Sequence, residues 1–384
     1  MPITFLHSAD WQIGKVFRYA DEATMARLQQ ARLEGIDRIG DLARERGAKH
    51  VLVAGDVYDT QDVSDRLLLQ PVERMRVHGD VTWHLLPGNH DPHRPFGIWE
   101  RLRSSDLPAN IVCHTAAEAW VDHDARLAIL PAPLLHYTGL EDLTAYMDKA
   151  DTPDGYFRIG LAHGSIRGFG ANEEAAANFI DPTRTERAGL DYLALGDWHG
   201  RREISPRVHY SGTHEVDGFE VDGGGHCLLV SIAAPGELPQ VEAIRTGEFH
   251  WHKLRANLSR REDVDALEAR LRGLAPGSLS KHLIDLEVSG ALSLGDLDYF
   301  RARIETAVDA AFALLRVRAA ELVSEPTDDD LAEFGEGGYV RAAADELMQQ
   351  ATADALPEAE RRRARLALLR LYLLYRGLSG DGDA

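Results

Sequence analysis

Five polar clusters carry the side chains in this chain best suited to chemistry: Ser8-Ala9-Asp10-Trp11-Gln12, Gly55-Asp56-Val57-Tyr58-Asp59, Gly88-Asn89-His90-Asp91, Ala162-His163-Gly164 and Gly196-Asp197-Trp198-His199. Their ligating atoms are carboxylate and amide oxygens and imidazole nitrogens, with no Cys among them, a set that suits hard or borderline divalent cations. A carboxylate such as Asp56 can bridge two cations about 3.5–4 Å apart, the spacing that clamps the attacking and leaving oxygens in phosphoryl transfer. Each cluster alone has a plainer reading, since a Gly-Asp pair after a strand is usually a turn and a lone His is usually structural. Their ordered recurrence, each at the end of a short apolar run, points to a two-cation centre that hydrolyses phosphate esters.

Those apolar runs predict strands at 3–7, 50–54, 82–86, 127–131, 159–162 and 192–195, followed by 208–210 and 227–232. Between the first two, Leu28, Ala31, Leu33, Ile36, Ile39 and Leu42 recur at helical spacing. Strands linked by helical crossovers form a layered α/β domain whose strand tips share one edge, where open sheets bind ligands. From residue 249 the pattern restarts, with strands at 249–254, 282–288 and 315–322 and helices at 261–274 and 294–312. No metal-type cluster falls there, so it reads as a smaller accessory domain. After the acidic break Glu325-Pro326-Thr327-Asp328-Asp329-Asp330 come two helices, 338–351 and 357–376, the second with Pro357 in its first turn. Residues 366–375 are apolar but for Arg370, so this helix packs on its own protein or docks a partner. The expected domains are 1–248, 249–330 and 331–384, and only 377–384 reads as disordered.

Composition narrows the function classes. The formal net charge of the 384 residues is −20, which repels a polyanion at long range and counts against a nucleic-acid partner unless bound cations or a local basic stripe offset it. Cys113 and Cys227 lie far apart and form no metal-type pair, which fits a reducing cytoplasm. The start, Met1-Pro2-Ile3-Thr4-Phe5, has no basic-then-apolar leader, and no apolar stretch approaches a membrane span, so neither export nor a membrane is expected.

Over residues 5–200 the order of the clusters resembles the calcineurin-like metallophosphoesterases: Asp-x-His, Gly-Asp-x-x-Asp, Gly-Asn-His-Asp/Glu, a His after a strand, then Gly-His-x-His. The opening His7-Ser8-Ala9-Asp10, the Gly55-Asp56-Val57-Tyr58-Asp59 form and the following accessory domain are most similar to the SbcD-type DNA repair exonucleases. The resemblance implies a β-sandwich flanked by helices with a smaller α/β cap and C-terminal helices. It also implies a Mn²⁺-dependent phosphodiesterase, often paired with a coiled-coil ATPase of the SbcC type. It assigns one metal to Asp10, Gln12, Asp56 and His199, and the other to Asp56, Asn89, His163 and Asp197. His90 would contact the phosphate or protonate the leaving oxygen, Asp91 would orient its ring, and a water between the metals would attack. Gln12 stands where the family has His, and Asp197 where it has the first His of Gly-His-x-His. The exchange adds a negative charge and hardens the donor set, favouring Mn²⁺ or Mg²⁺ over Zn²⁺; the alternative is that Gln12 does not ligate and the first metal binds loosely.

Arg167, Arg201 and Arg202 follow the fourth and fifth clusters, where they meet substrate phosphates or remain solvated. His214 follows a strand close to the expected site and is a candidate substrate contact, while Trp11, Trp198 and His93 wall the cleft or pack. The expected function is a metal-dependent DNA exonuclease or endonuclease in DNA repair. A phosphodiesterase for small or cyclic nucleotides is the same-site alternative, and a non-catalytic DNA-end-binding or scaffold subunit the different-class one. The partners expected are DNA, an SbcC-like ATPase on the C-terminal helices, or a second copy of the chain.

Overall fold

A computed structural model describes residues 2–139, 141–167, 178–274, 277–324, 327–335 and 337–380. The chain divides into two compact units, Met1–His250 and Trp251–Ala384.

The first unit contains two six-stranded sheets. One runs, in spatial order, Gln240–Arg245, His226–Ile232, Ile3–Ser8, His50–Val53, Thr82–Leu85 and Ile111–Cys113, the last four parallel to one another. The other runs Arg202–Ser205, Val208–Tyr210, Tyr192–Gly196, Phe157–His163, Leu127–Ala132 and Trp120–Asp122, with its middle four parallel. Phe5, Leu52, Leu86 and Val230 of the first sheet pack with Ile129, Ile159, Leu161 and Ala194 of the second, so the sheets form a sandwich. The outer face of the first sheet is covered by the helices Glu22–Glu45, Asp65–Val77 and Ile98–Arg103, through Ile36, Ile39, Val72, Met75 and Leu102. The second packs its outer face on Met147 and Ala188. The result is the helix-flanked, mixed α/β sandwich that the sequence predicts.

All eight expected strands of this unit are present to within two residues at either end. The sequence pattern did not reveal the short pair Ser165–Ile166 and Phe179–Ile180, nor Ile111–Cys113, Trp120–Asp122, Arg202–Ser205 and Gln240–Arg245, which are the four edges of the two large sheets. An edge strand has one neighbour and one wet side, so it is short or polar and lacks the apolar run that betrays a central strand.

The second unit is built on a three-stranded sheet in the order His250–Leu258, His282–Leu292, Leu314–Ser324, the last two parallel. The helix expected over 294–312 is α-helical only at Leu294–Phe300; it widens into a π-helix at Arg301–Val308 and tightens at Asp309–Ala311. The helices Tyr339–Thr352 and Glu358–Gly380 follow. Leu368, Leu369 and Tyr372 join the core of Leu286, Val288, Phe300 and Phe334, whereas Leu366 and Leu374 remain 52% and 67% exposed. The last helix continues to Gly380, so residues 377–380 are helical, contrary to expectation, and 381–384 lie outside the described residues. Among the described residues no helix is long and apolar enough to cross a membrane, and Cys113 and Cys227 are both free thiols.

Candidate metal centre

The parallel strands of the sandwich end in the loops that carry the five clusters. Ala54 N–H donates to the Ser8 carbonyl (2.8 Å), Asp10 N–H to Gly55 (3.1 Å) and Gln12 N–H to Asp56 (2.8 Å), so the first two loops are stitched together residue by residue. Asp10, Gln12, Asp56 and Asp197 all have positive φ, at 53°, 40°, 51° and 102°. Left-handed backbone is costly for non-glycine residues, and its concentration in one place marks a site that the surrounding fold holds in a required shape. Arg32, fully buried on the helix Glu22–Glu45, fixes that shape by donating to the carbonyls of Asp10 (2.9 Å), Trp11 (2.7 Å) and Glu215 (2.9 Å). Gly55 and Gly88 lie where a Cβ would fall 2.2 Å from His163 Nδ1 and from Asp56 Oδ1 respectively, so neither loop can close with a larger residue there.

Asp10, Asp56 and His163, all buried, offer ligand atoms within 4.8 Å of one another. His163 Nδ1 lies 2.9 Å from the Ala54 carbonyl, to which it donates, so Nε2 faces the carboxylates and, once its proton is displaced, offers its lone pair there, the orientation of a metal-binding imidazole. Nε2 is 3.6 Å from Asp56 Oδ1 and 3.8 Å from Asp197 Oδ1. The Asn89 amide stands 2.8 Å from the same nitrogen. With its NH₂ turned inward it donates there and to the two Asp56 oxygens at 3.1 and 3.2 Å. With its oxygen inward it joins a ring of acceptors, an arrangement that a divalent cation makes favourable. The donor set of Asp56, Asn89, His163 and Asp197 therefore fits a hard cation.

Electrostatics point the same way. Burial pushes the Asp10 carboxyl up to about 6, with Asp56 and Asp197 adding to the rise against the opposing His199 and His163. Burial alone would lower His163, but Asp56, Asp10 and Asp197 outweigh it and raise the imidazole to about 9. Acidic groups crowded this closely out of water call for positive charge.

The other half of the centre is arranged differently. His199 Nδ1 faces the buried Asp217 carboxylate at 2.8 Å. Burial would raise Asp217, yet the His199 hydrogen bond and the charges of His199, Arg32 and Lys15 hold it far below the carboxylate range. Gln12 Nε2 lies 3.3 Å from His199 Nε2, and Gln12 Oε1 accepts from Lys15 Nζ at 2.6 Å. The residues that the sequence assigns to the two cations thus meet at one sheet edge, but the Gln12 oxygen is already engaged.

Two assignments differ from expectation. Asp91, fully buried, accepts from the backbone N–H of Gly88 (2.7 Å) and Tyr58 (3.0 Å) and so ties two loops together; burial and then Asp56 raise it to about 8. The His90 ring is held instead by the Asp59 carbonyl, 2.9 Å from Nδ1, with Nε2 4.0 Å from Asp56 Oδ2. His214 is completely buried against Trp11, its Nε2 2.7 Å from the Arg32 carbonyl, so it supports the loop and does not reach a surface. Arg167, Arg201 and Arg202 are exposed. Trp11 is buried and donates to Ser8 Oγ (2.8 Å), while Trp198 is 40% exposed. Asp217, Lys15 and Arg32 lie outside the five clusters, and nothing in their local sequence announced them.

A buried site of carboxylates and imidazole at the strand ends of an α/β sandwich defines the class, a metal-binding hydrolase. The chain belongs to the calcineurin-like phosphoesterase family, whose model matches residues 3–224, a family that hydrolyses phosphoesters with divalent metals. Solved structures similar to it include TT1561 of Thermus thermophilus, 14% identical, with a TM-score of 0.42 over 64% of this chain and 100% of that one. Purple acid phosphatase PPD1 from yellow lupin (Lupinus luteus) seeds is 12% identical, with a TM-score of 0.42 over 64% of this chain and 52% of that one. A dimetal phosphatase from Danio rerio is 12% identical, with a TM-score of 0.39 over 63% and 98%. Among curated proteins none matches the chain.

Proposed function

We propose that the protein is a Mn²⁺-dependent phosphodiesterase acting on DNA, a nuclease of DNA repair, with Asp10, Asp56, Asn89, His163, Asp197 and His199 as its ligand set. The convergence of Asp10, Asp56 and His163 within 4.8 Å carries the reading. Bound cations would supply the charge that draws in a phosphodiester and acidifies water. His90, one-third exposed and held through Nδ1, presents Nε2 at the rim to a phosphate or leaving oxygen. Exposed aromatic rings at the rim favour a polynucleotide over a small substrate. Tyr137, 53% exposed, has its ring 5.9 Å from that of His90, and Trp198 sits between Asp197 and His199. Such rings stack on bases, while Arg167, Arg201 and Arg202 meet phosphates.

The test offers the purified protein with Mn²⁺ labelled duplex DNA, single-stranded DNA, cyclic nucleotides and bis-p-nitrophenyl phosphate. DNA shortening is expected; turnover of cyclic nucleotides with intact DNA would overturn the DNA assignment, and DNA-end binding without any hydrolysis would favour a scaffold. His90→Ala is expected to keep its metal and lose on the order of 10²–10⁴ in turnover. For the coiled-coil ATPase partner, the exposed Leu366 and Leu374 of the last helix are the proposed contacts. Leu366→Glu with Leu374→Glu should abolish co-purification, and a second copy captured instead would identify a homodimer.

A further inference from the structure

The two halves of the centre differ in what already occupies them. On one side the Asn89 amide and the Asp56 carboxylate converge on His163 Nε2, at 2.8 and 3.6 Å, an oxygen and nitrogen donor set that suits a divalent cation. On the other, Gln12, His199 and Asp217 each face a group of complementary polarity within the protein. Lys15 Nζ, which can only donate, sits 2.6 Å from Gln12 Oε1 and 2.9 Å from Asp217 Oδ2. That leaves the Gln12 NH₂ to donate to His199 Nε2 at 3.3 Å, while His199 Nδ1 donates to Asp217. The loop is a closed ring of Lys15, Gln12, His199 and Asp217.

We infer that Lys15 is a resident cation that locks Gln12 in a non-ligating orientation, so the centre takes up one divalent ion tightly, at Asp56, Asn89 and His163, and a second only weakly. For Gln12 to ligate, its amide must turn over, which breaks the bond from the ammonium and sets two donors, Nε2 and Nζ, against each other. Its NH₂ also covers the lone pair that His199 would give to a metal. Lys15 is fixed for this role: its carbonyl accepts from Gln29 Nε2 at 2.8 Å, and its side chain is only 23% exposed. The ammonium supplies one positive charge where the second cation would supply two, enough to neutralise Asp217 but not to bridge to Asp56. Lys15 is a positioning residue, acting through Gln12.

The inference rests on the metallophosphoesterase reading of the site, and the test separates the two. Metal-free protein is titrated with Mn²⁺ while bound metal is counted by elemental analysis and its spin state is read by electron paramagnetic resonance. The wild-type chain is expected to bind one tight equivalent with the spectrum of an isolated ion. Lys15→Met, which keeps length and removes the charge, and Gln12→His are each expected to bind two, with the spectrum of an exchange-coupled pair. Two equally tight equivalents in the wild type would overturn the inference while leaving the function standing, as would one equivalent in all three proteins. No tight binding in any of them would remove the metal site itself. Because Gln12→His leaves Lys15 in place and Lys15→Met leaves Gln12, loss of fold in one still leaves the other to decide.

Discussion

The buried acid Asp10 of the metal centre and the buried acids of the second unit are treated in opposite ways. In the second, Asp285 is met by Arg316 and Arg318 at 2.9 and 2.8 Å, Glu268 by Arg272 and Arg303 at 2.8 and 2.7 Å, and Asp330 by the N–H groups of Thr327, Leu294 and Gly295. Burial would raise Asp285, yet its arginines bring it below the ordinary carboxylate value, and the Arg272 hydrogen bond leads the lowering of Glu268. At the metal centre Asp10 is raised, because burial is reinforced by the neighbouring Asp56 and Asp197. An acid with a dedicated arginine is holding structure together; acids that raise one another are kept for a cation from outside, and the difference separates scaffold from site without reference to sequence motifs.

The sharpest way to break this contrast is Asp56→Ala. It removes the carboxylate shared by both halves, so Mn²⁺ binding and turnover should fall by more than the roughly 10–100-fold typical of losing an outer-shell partner; isothermal titration that finds unchanged affinity would contradict it. Proton linkage comes next. Without metal, His163 is raised to about 9 and is therefore charged at neutral pH, so a cation must displace its proton. Mn²⁺ affinity should climb about tenfold per pH unit toward 9 and then level off, more steeply below about 6, where Asp10 is also protonated. The sign for stability is opposite: in metal-free protein the raised His163 contributes stability that is present below its unfolded value and fades as pH rises through about 9. Denaturation curves with and without Mn²⁺ at several pH values check both.

Asp217→Asn probes the borderline between the two kinds of acid, since Asp217 is salt-bridged like the structural ones yet touches His199. Turnover should drop by about 10–100-fold with the tight metal retained, as for an outer-shell partner. The smallest effect belongs to Asp285→Ala in the second unit. Arg316 and Arg318 are 38% and 47% exposed, so they regain water, and the cost should be roughly 1–3 kcal/mol in chemical denaturation with Mn²⁺ affinity unchanged. A loss of metal binding there would collapse the contrast.

The sequence by itself determined the central strands, because a strand buried on both faces must be a continuous apolar run. It also made the donor residues legible, because polar clusters that recur in order after such runs emerge together at one sheet edge. Asp10, Asp56, Asn89, His163 and His199 were legible on that basis. The tertiary structure alone decided which neighbours each donor meets: that Asp59 and not Asp91 holds His90, that His214 faces inward, and that Lys15 claims the oxygen of Gln12. Those contacts join residues whose order along the chain carries no trace of the pairing. Arg32 reaches residues 213 and 215 across some 180 positions, and hydrogen bonds act over a few ångströms in space, so only the folded chain fixes which atoms come within reach.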